Sequence, residues 1–335
     1  MHSYPLVFTP ILKEKVWGGR NLADLGKQLP LGALIGESWE LADLPLTVEA
    51  GRSVIANGPL ANRTLHDAIA ADREAIMGPA PLTPQGGFPL LIKFLDAREN
   101  LSVQVHPDHA YIKKHPQAHL KSEAWVVVKA KPTAVIYKGV KRQVTREQFA
   151  RHIETGQVVN DLNAVAVTSG ECHYLPSGTC HALGAGVVVA EIQSSSDTTF
   201  RVYDWGRSDR ELHIEQALEC MAFGEALRGP EPPGRPIVVG AVRSTPLLKT
   251  EMFEIERIET QADTSLQIVT SGMPMIWMML NGGGEIQTRN APTVGLSGGT
   301  TVLMPASLRD SVASLRGATT LLCVTLPSPL EGLIA

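Results

Sequence analysis

From residue 237 to 327 the chain is an almost unbroken succession of strand-like runs. FEIERIE, SLQIVT, MIWMML, EIQTR, TTVLMP and ATTLLCVTLP follow one another with no helix-period pattern between them. Each run is short and rich in β-branched or large apolar residues, and turn-forming residues bound it. A segment of this size and character fits one small β-barrel or jelly roll. The composition extends the reading to the whole chain. Gly (30) and Pro (23) are both above average usage, as many tight turns require, while aromatics are only 5%.

Upstream, strand-like runs alternate with a few helical ones. TLHDAIAADREAIMG (64–78) reads as a helix with Leu65, Ile69 and Ile76 on one face and Gly78 as its stop. DHAYIKKH (108–115) suits a short helix capped by Asp108. TREQFARHIETG (145–156) has capping-box spacing from Thr145 to Gln148 and ends at Gly156, and ELHIEQALEC (211–220) is also helical. Between them LLIKFLDA, LSVQVH, EAWVVVKA, TAVIYKGV, AVAVTSG, ECHYLPSG, VVVAEIQ and TFRVYDW read as strands and turns. In IGESWELAD, period two would put Glu37, Trp39 and Leu41 on one face. RGPEPPGRP (228–236) is the best linker, so the expected units are 1–230 and 237–330. Gly170-x5-Pro176 recurs as Gly299-x5-Pro305, which suggests two barrels of one type.

A net charge of −4 gives no global basic field, which argues against nucleic-acid binding. No apolar run reaches the ~18 residues of a membrane span, and the N-terminus lacks the pattern of a secretory signal. Cys172, Cys180, Cys220 and Cys323 form no C-x-x-C and no disulfide framework, so a cytoplasmic setting is expected.

The residues with chemistry gather in the first half. Gln104 and His106 are two apart on a strand and face one side; Glu123 opens a later strand; His181 follows a Pro-x-Gly turn. Two imidazoles and a carboxylate with an amide oxygen beside them suit a divalent metal, leaving zinc, iron, manganese or nickel open. Each His taken alone could equally be a hydrogen-bonded core residue.

The motif Gly170-x5-Pro176-x-Gly178-x2-His181, with Gln104-Val105-His106 and Glu123, resembles the metal-binding motifs of the cupin superfamily. VWGGRNL, GESWELAD, FPLLIKFLDARENLSVQVHPD, KSEAWVV and LPSGTCHALGAGVVVAEIQSSSDTTFRVYDWGR resemble, more specifically, the short prokaryotic form of the type I mannose-6-phosphate isomerases. They span most of residues 5–220.

That resemblance implies a mostly β fold of two cupin-type jelly-roll barrels, the first elaborated with helices. It implies a zinc-dependent aldose–ketose isomerase acting on a sugar phosphate, with one zinc ion per chain. Carried over by motif, the metal ligands are Gln104, His106, Glu123 and His181. Glu191 would be the base, Arg201 would stabilise the enediolate or the phosphate, Lys121 would serve substrate and catalysis, and Trp17 would meet the substrate at the pocket mouth. The alternative for Glu191 is a structural partner of Arg201, and for Lys121 a solvated strand end. Five positions after Pro305 stands Asp310, and no histidine follows His213, so the second barrel is expected to be metal-free. No nucleic-acid or membrane partner is implied, and the chain would be a monomer or homodimer. The rivals are a cupin of other chemistry, such as an iron or nickel oxygenase, and a non-catalytic sugar-phosphate sensor. Lys121 and Arg201 favour an anionic substrate over the first; the complete set of candidate residues disfavours the second.

Overall fold

The eight residues LLIKFLDA cannot sit on a sheet with one wet face, because apolar side chains occupy both sides of the strand. The computed structural model, which describes residues 3–225 and 229–327, gives the reason. This strand lies inside a middle sheet covered on both faces, and all eight residues are buried.

In chain order the first half contributes β1 (Leu6–Val7), β2 (Ile11–Gly19), β3 (Ile35–Leu41), β4 (Leu90–Ala97), β5 (Val103–Val105) and β6 (Glu123–Ala130). It continues with β7 (Val135–Val140), β8 (Leu162–Ala166), β9 (Cys172–Leu175), β10 (His181–Leu183), β11 (Val187–Ser194) and β12 (Phe200–Tyr203). The second half adds β13 (Ile237–Val239), β14 (Val242–Lys249), β15 (Glu254–Gln261), β16 (Thr264–Ile268), β17 (Met275–Thr288), β18 (Val294–Ser297), β19 (Thr301–Met304) and β20 (Ser311–Thr325).

Among the described residues these form three antiparallel sheets. The middle one has six strands in the order β2-β3-β4-β11-β6-β9. A five-stranded sheet, β12-β5-β10-β7-β8, packs on one side, sharing a core of Leu95, Trp125, Val127 and Val189 with Ile136 and Leu183. A nine-stranded sheet, the eight strands of the second half with β1 added, packs on the other. There Ile92, Phe94, Val126, Ala190 and Ile192 meet Ile255, Ile276, Met278, Leu322 and Val324 in one core. Alternate residues of β4, β6 and β11 therefore enter two different cores.

Local chemistry sets the element ends. Thr145 and Asp108 accept from the backbone N–H groups of Gln148 and Tyr111, capping α4 (Arg146–Glu154) and α3 (His109–Lys114) where expected. The helix expected over 64–78 is two: α1 (Leu65–Ala71) and α2 (Arg73–Met77). Asp72 leaves helical geometry to cap the second by accepting from Ala75 N–H. α5 (Ile214–Cys220) starts three residues later than its sequence pattern, because the backbone N–H of His213 donates to the Arg201 carbonyl beside β12.

MIWMML and EIQTR are one strand, β17, whose register shifts between Met279 and Gly283 let it run on through a glycine cluster. A register shift also falls between Trp39 and Leu41, so Leu41 enters the core shared with the nine-stranded sheet instead of joining Glu37 and Trp39.

The expected linker is tied down along its described part. Glu231 N–H donates to the Cys172 carbonyl and Gly234 N–H to that of Pro246, while Arg228 lies outside the described residues. The strand nearest the N-terminus crosses the expected boundary: β1 pairs with β19 of the second half, Leu6 opposite Leu303. All four cysteines are free and buried. No helix among the described residues is long and apolar enough to cross a membrane.

Candidate active site and metal centre

Two rows of side chains, one from each of two facing sheets, enclose the site. Residues directly opposite in an antiparallel pair share a face. On the five-stranded sheet Gln104 stands opposite His181 on one side and Arg201 on the other. On the middle sheet the row runs Trp39, Lys93, Glu191, Trp125. Between the rows lies a cavity of about 310 Å³, in the range of small-ligand sites.

His106, Glu123 and His181 converge just behind the cavity lining, beside Gln104 and Lys121, which do line it. His106 Nε2 is 3.2 Å from Glu123 Oε2, and His181 Nε2 is 3.1 Å from Glu123 Oε1. All three side chains are buried, and their ligand atoms lie within 4.8 Å of one another. His106 Nε2 and both Glu123 oxygens make no hydrogen bond of good geometry. Unsatisfied buried acceptors are costly unless something fills the space between them.

The other ring nitrogens explain the orientation. Nδ1 of His106 lies 3.1 Å from the Thr198 carbonyl and Nδ1 of His181 lies 2.8 Å from that of Thr179. Each therefore carries the proton on Nδ1 and turns a bare Nε2 lone pair inward, the arrangement of a metal-binding imidazole. Burial, and then the charge of Lys121, push His106 down to about 3. Glu123 is held well below the carboxylate range despite its burial, chiefly by the charge of Lys121. Neutral imidazoles and an anionic carboxylate are the forms that bind a divalent cation. The Gln104 amide nitrogen lies 3.4 Å from His181 Nε2, while its oxygen accepts from Ser102 Oγ at 3.4 Å. This donor set fits a borderline cation such as zinc.

The turn before His181 is shaped for the job. Gly178 has φ 82°, and its N–H donates to the His106 carbonyl while Ser177 N–H donates to Ser122 Oγ. Its left-handed conformation suits glycine.

Lys121 is buried, with Nζ 3.0 Å from Glu123 Oε2, so it is not a solvated strand end. Glu191 accepts from Trp125 Nε1–H at 2.9 Å, and its Oε1 lies 2.9 Å from Lys93 Nζ. Its partner is thus Lys93 on the neighbouring strand, not Arg201, whose Nη1–H donates to the Glu211 carbonyl at 2.8 Å. Burial, and the nearby charge of Arg210, lower the Arg201 pKa. Trp17, Gln104, Lys121, Glu191 and Arg201 all line the cavity. Trp17 is buried rather than at an open mouth.

The sequence reading missed Lys15, Glu37, Lys93 and Arg210, which also line it. Lys93 Nζ lies 3.7 Å from Glu37 Oε2, and Lys15 Nζ 3.1 Å from Glu37 Oε1. Burial would raise Glu37, but Lys93 and Lys15 outweigh it and hold it at about 2. The signal was available: a lysine at the centre of the apolar run LLIKFLDA has no solvent to reach and needs a buried partner.

Comparison with known proteins gives a consistent set of relatives. Residues 6–123 match the family described as phosphomannose isomerase type I, catalytic domain. The Bacillus subtilis (strain 168) protein named probable mannose-6-phosphate isomerase GmuF is 41% identical over 229 residues, 66% of this chain and 69% of that one. Mannose-6-phosphate isomerase of Streptococcus mutans is 37% identical over 227 residues, with the same 66% and 69% coverage. The crystal structure of mannose 6-phosphate isomerase from Bacillus subtilis superposes with TM-score 0.85 at 29% identity, covering 96% of this chain and 99% of that one.

Proposed function

The chain belongs to the type I mannose-6-phosphate isomerases, aldose–ketose isomerases, and from that premise we propose that it works through a cis-enediol with one zinc ion held by Gln104, His106, Glu123 and His181. The observation that supports the metal reading is the orphaned, buried His106 Nε2 and Glu123 oxygens, grouped with His181 within 4.8 Å of one another.

The substrate is mostly a closed ring, so a proton first moves between O1 and O5 to open it. Glu191 then takes the C2 hydrogen as a proton, leaving an enediolate across C1 and C2. The same carboxyl returns that proton to C1 while a hydroxyl proton passes from O2 to O1, and mannose 6-phosphate becomes fructose 6-phosphate with atoms balanced. Trp125 Nε1–H and Lys93 hold the carboxylate still between the two carbons. Lys121 supports charge at the metal end and Arg201 supports the enediolate or phosphate, while Trp17 closes the apolar wall. Zinc, when bound, supplies electrophilic stabilisation of the developing oxygen charge.

We infer further that residues 1–230 and 237–330 are two units of cupin jelly-roll type, the second metal-free. Gly170 and Gly299, the repeated positions, are both left-handed, with φ 91° and 81°. Asp310, where the metal histidine would recur, is exposed. Residues 328–330 lie outside the described part.

A coupled assay of mannose 6-phosphate to fructose 6-phosphate, with chelator and with zinc restored, tests the reading. Activity should vanish with chelator and return with zinc. Full activity in metal-free protein would overturn the metal role, and no turnover with any divalent metal would overturn the reaction.

A further inference from the structure

Charge around the cavity is unevenly compensated. Five cationic side chains line it: Lys15, Lys93, Lys121, Arg201 and Arg210. The lysines are all paired with carboxylates, Lys15 with Glu37 at 3.1 Å, Lys93 with Glu191 at 2.9 Å and Lys121 with Glu123 at 3.0 Å. Arg201 makes no ion pair among the described residues, and its buried Nε has no partner. Arg210 donates from Nε to Asp204 Oδ2 at 2.8 Å and from Nη2 to Oδ1 at 2.5 Å. That same carboxylate also accepts from Arg207 Nη2 at 2.6 Å. One buried carboxylate thus serves two guanidiniums and leaves Arg201 to none. Asp197 and Asp209 are nearby but exposed, and neither makes an ion pair among the described residues. The positive surplus therefore sits on the Arg201–Arg210 wall.

We propose that Arg210, aimed by Asp204, joins Arg201 as the clamp for the phosphate of the substrate. This rests on the isomerase reading above. Arg210 touches the phosphate; Asp204 is a positioning residue that fixes its fork. A guanidinium offers paired donors matched to phosphate oxygens, and the partnerless Arg201 Nε–H is a further directed donor. Asp204 holds Nε and Nη2 of Arg210 and leaves its Nη1 hydrogens for the ligand. The phosphate is then anchored at the arginine wall while the reacting carbons lie toward Glu191 and the metal end. Binding energy from the phosphate is used to orient C1 and C2.

The test combines Arg210→Met and Arg210→Lys with inorganic phosphate as a competitive inhibitor and as a calorimetric ligand. Loss of one charge-assisted contact should raise KM and the phosphate inhibition constant of Arg210→Met by about 10- to 100-fold. The effect on KM should exceed that on kcat, Arg210→Lys should fall between, and thermal unfolding should stay close to wild type. KM and phosphate affinity within about twofold of wild type in a folded variant would overturn the clamp, as would a loss confined to kcat. If Arg210→Met does not fold, Arg210→Lys decides by the same criteria. Calorimetric phosphate binding reads the clamp without turnover, so a wild-type enzyme that binds phosphate but fails to isomerise would sink the isomerase reading alone.

Discussion

Glu191 is held on both oxygens: Oε2 accepts from the Trp125 indole N–H, and Oε1 forms an ion pair with Lys93. A carboxylate fixed in this way is aimed at one line of approach. Glu191→Gln removes the proton acceptor but keeps the shape. Its kcat should fall by roughly 100- to 10,000-fold, the usual contribution of a general base, with KM changed far less. Near wild-type kcat in this variant would remove Glu191 from the chemistry. The grouping of His106, Glu123 and His181 was legible through the family resemblance of their motifs; a strand period of two by itself joins only Gln104 and His106. The companions of Glu191 were not. Cross-strand neighbours depend on which strands pair, and the sequence offered Arg201 as partner, ten residues along, where β4 supplies Lys93. Arg210 was hidden for another reason: it sits in a surface loop of alternating charges, and only its clamp by buried Asp204 distinguishes it.

At the scale of elements, turns were read better than strand lengths. The caps at Thr145 and Asp108 are local hydrogen bonds and so follow from local sequence. The split between α1 and α2 was missed because apolar periodicity passes straight through Asp72. Leu41 was misplaced because a register shift leaves no mark in a hydrophobic pattern. Gly299, by contrast, carries a consequence that can be measured. Its φ is 81°, and an added Cβ would lie 1.9 Å from the Leu25 carbonyl oxygen, where the second half meets the first. Gly156 has a similar φ of 69° but open space around it. Gly156→Ala should therefore lose only about 1 kcal/mol, the conformational cost. Gly299→Ala should lose roughly 3 kcal/mol or more, because backbone must also move. Urea midpoints of the two variants compare them directly; equal losses would mean that the junction is looser than its geometry implies.

For the whole molecule, composition and strand runs sufficed for a mostly β protein, but not for how its first and second halves meet. The core under the middle sheet belongs to both, with Phe94 and Ile192 packed among Ile276, Met278 and Val324. Burial of one such side chain contributes about 2 kcal/mol, so separating the halves would uncover many times the net stability of a typical domain. Unfolding by urea should then be one transition, with far-UV circular dichroism and residual activity coinciding. Two separated transitions would show that the halves are energetically independent. Residues 237–327 made alone should not give a well-packed unit, since the apolar face of that sheet would have nothing to cover it.

The pairing of β1 with β19 also has a history in time. Leu6 is synthesised before Leu303 by nearly the length of the chain, and at ~5–20 residues per second that interval is roughly 15–60 seconds. Throughout it Leu6 lacks its sheet partner, while Phe8 can already bridge Ile55 and the Tyr4 hydroxyl can already reach Asn57 and Leu60. The edge of β1 must therefore wait uncovered until residue 303 has been made, and closure of that seam is the step at which a ribosome-bound chaperone would matter most.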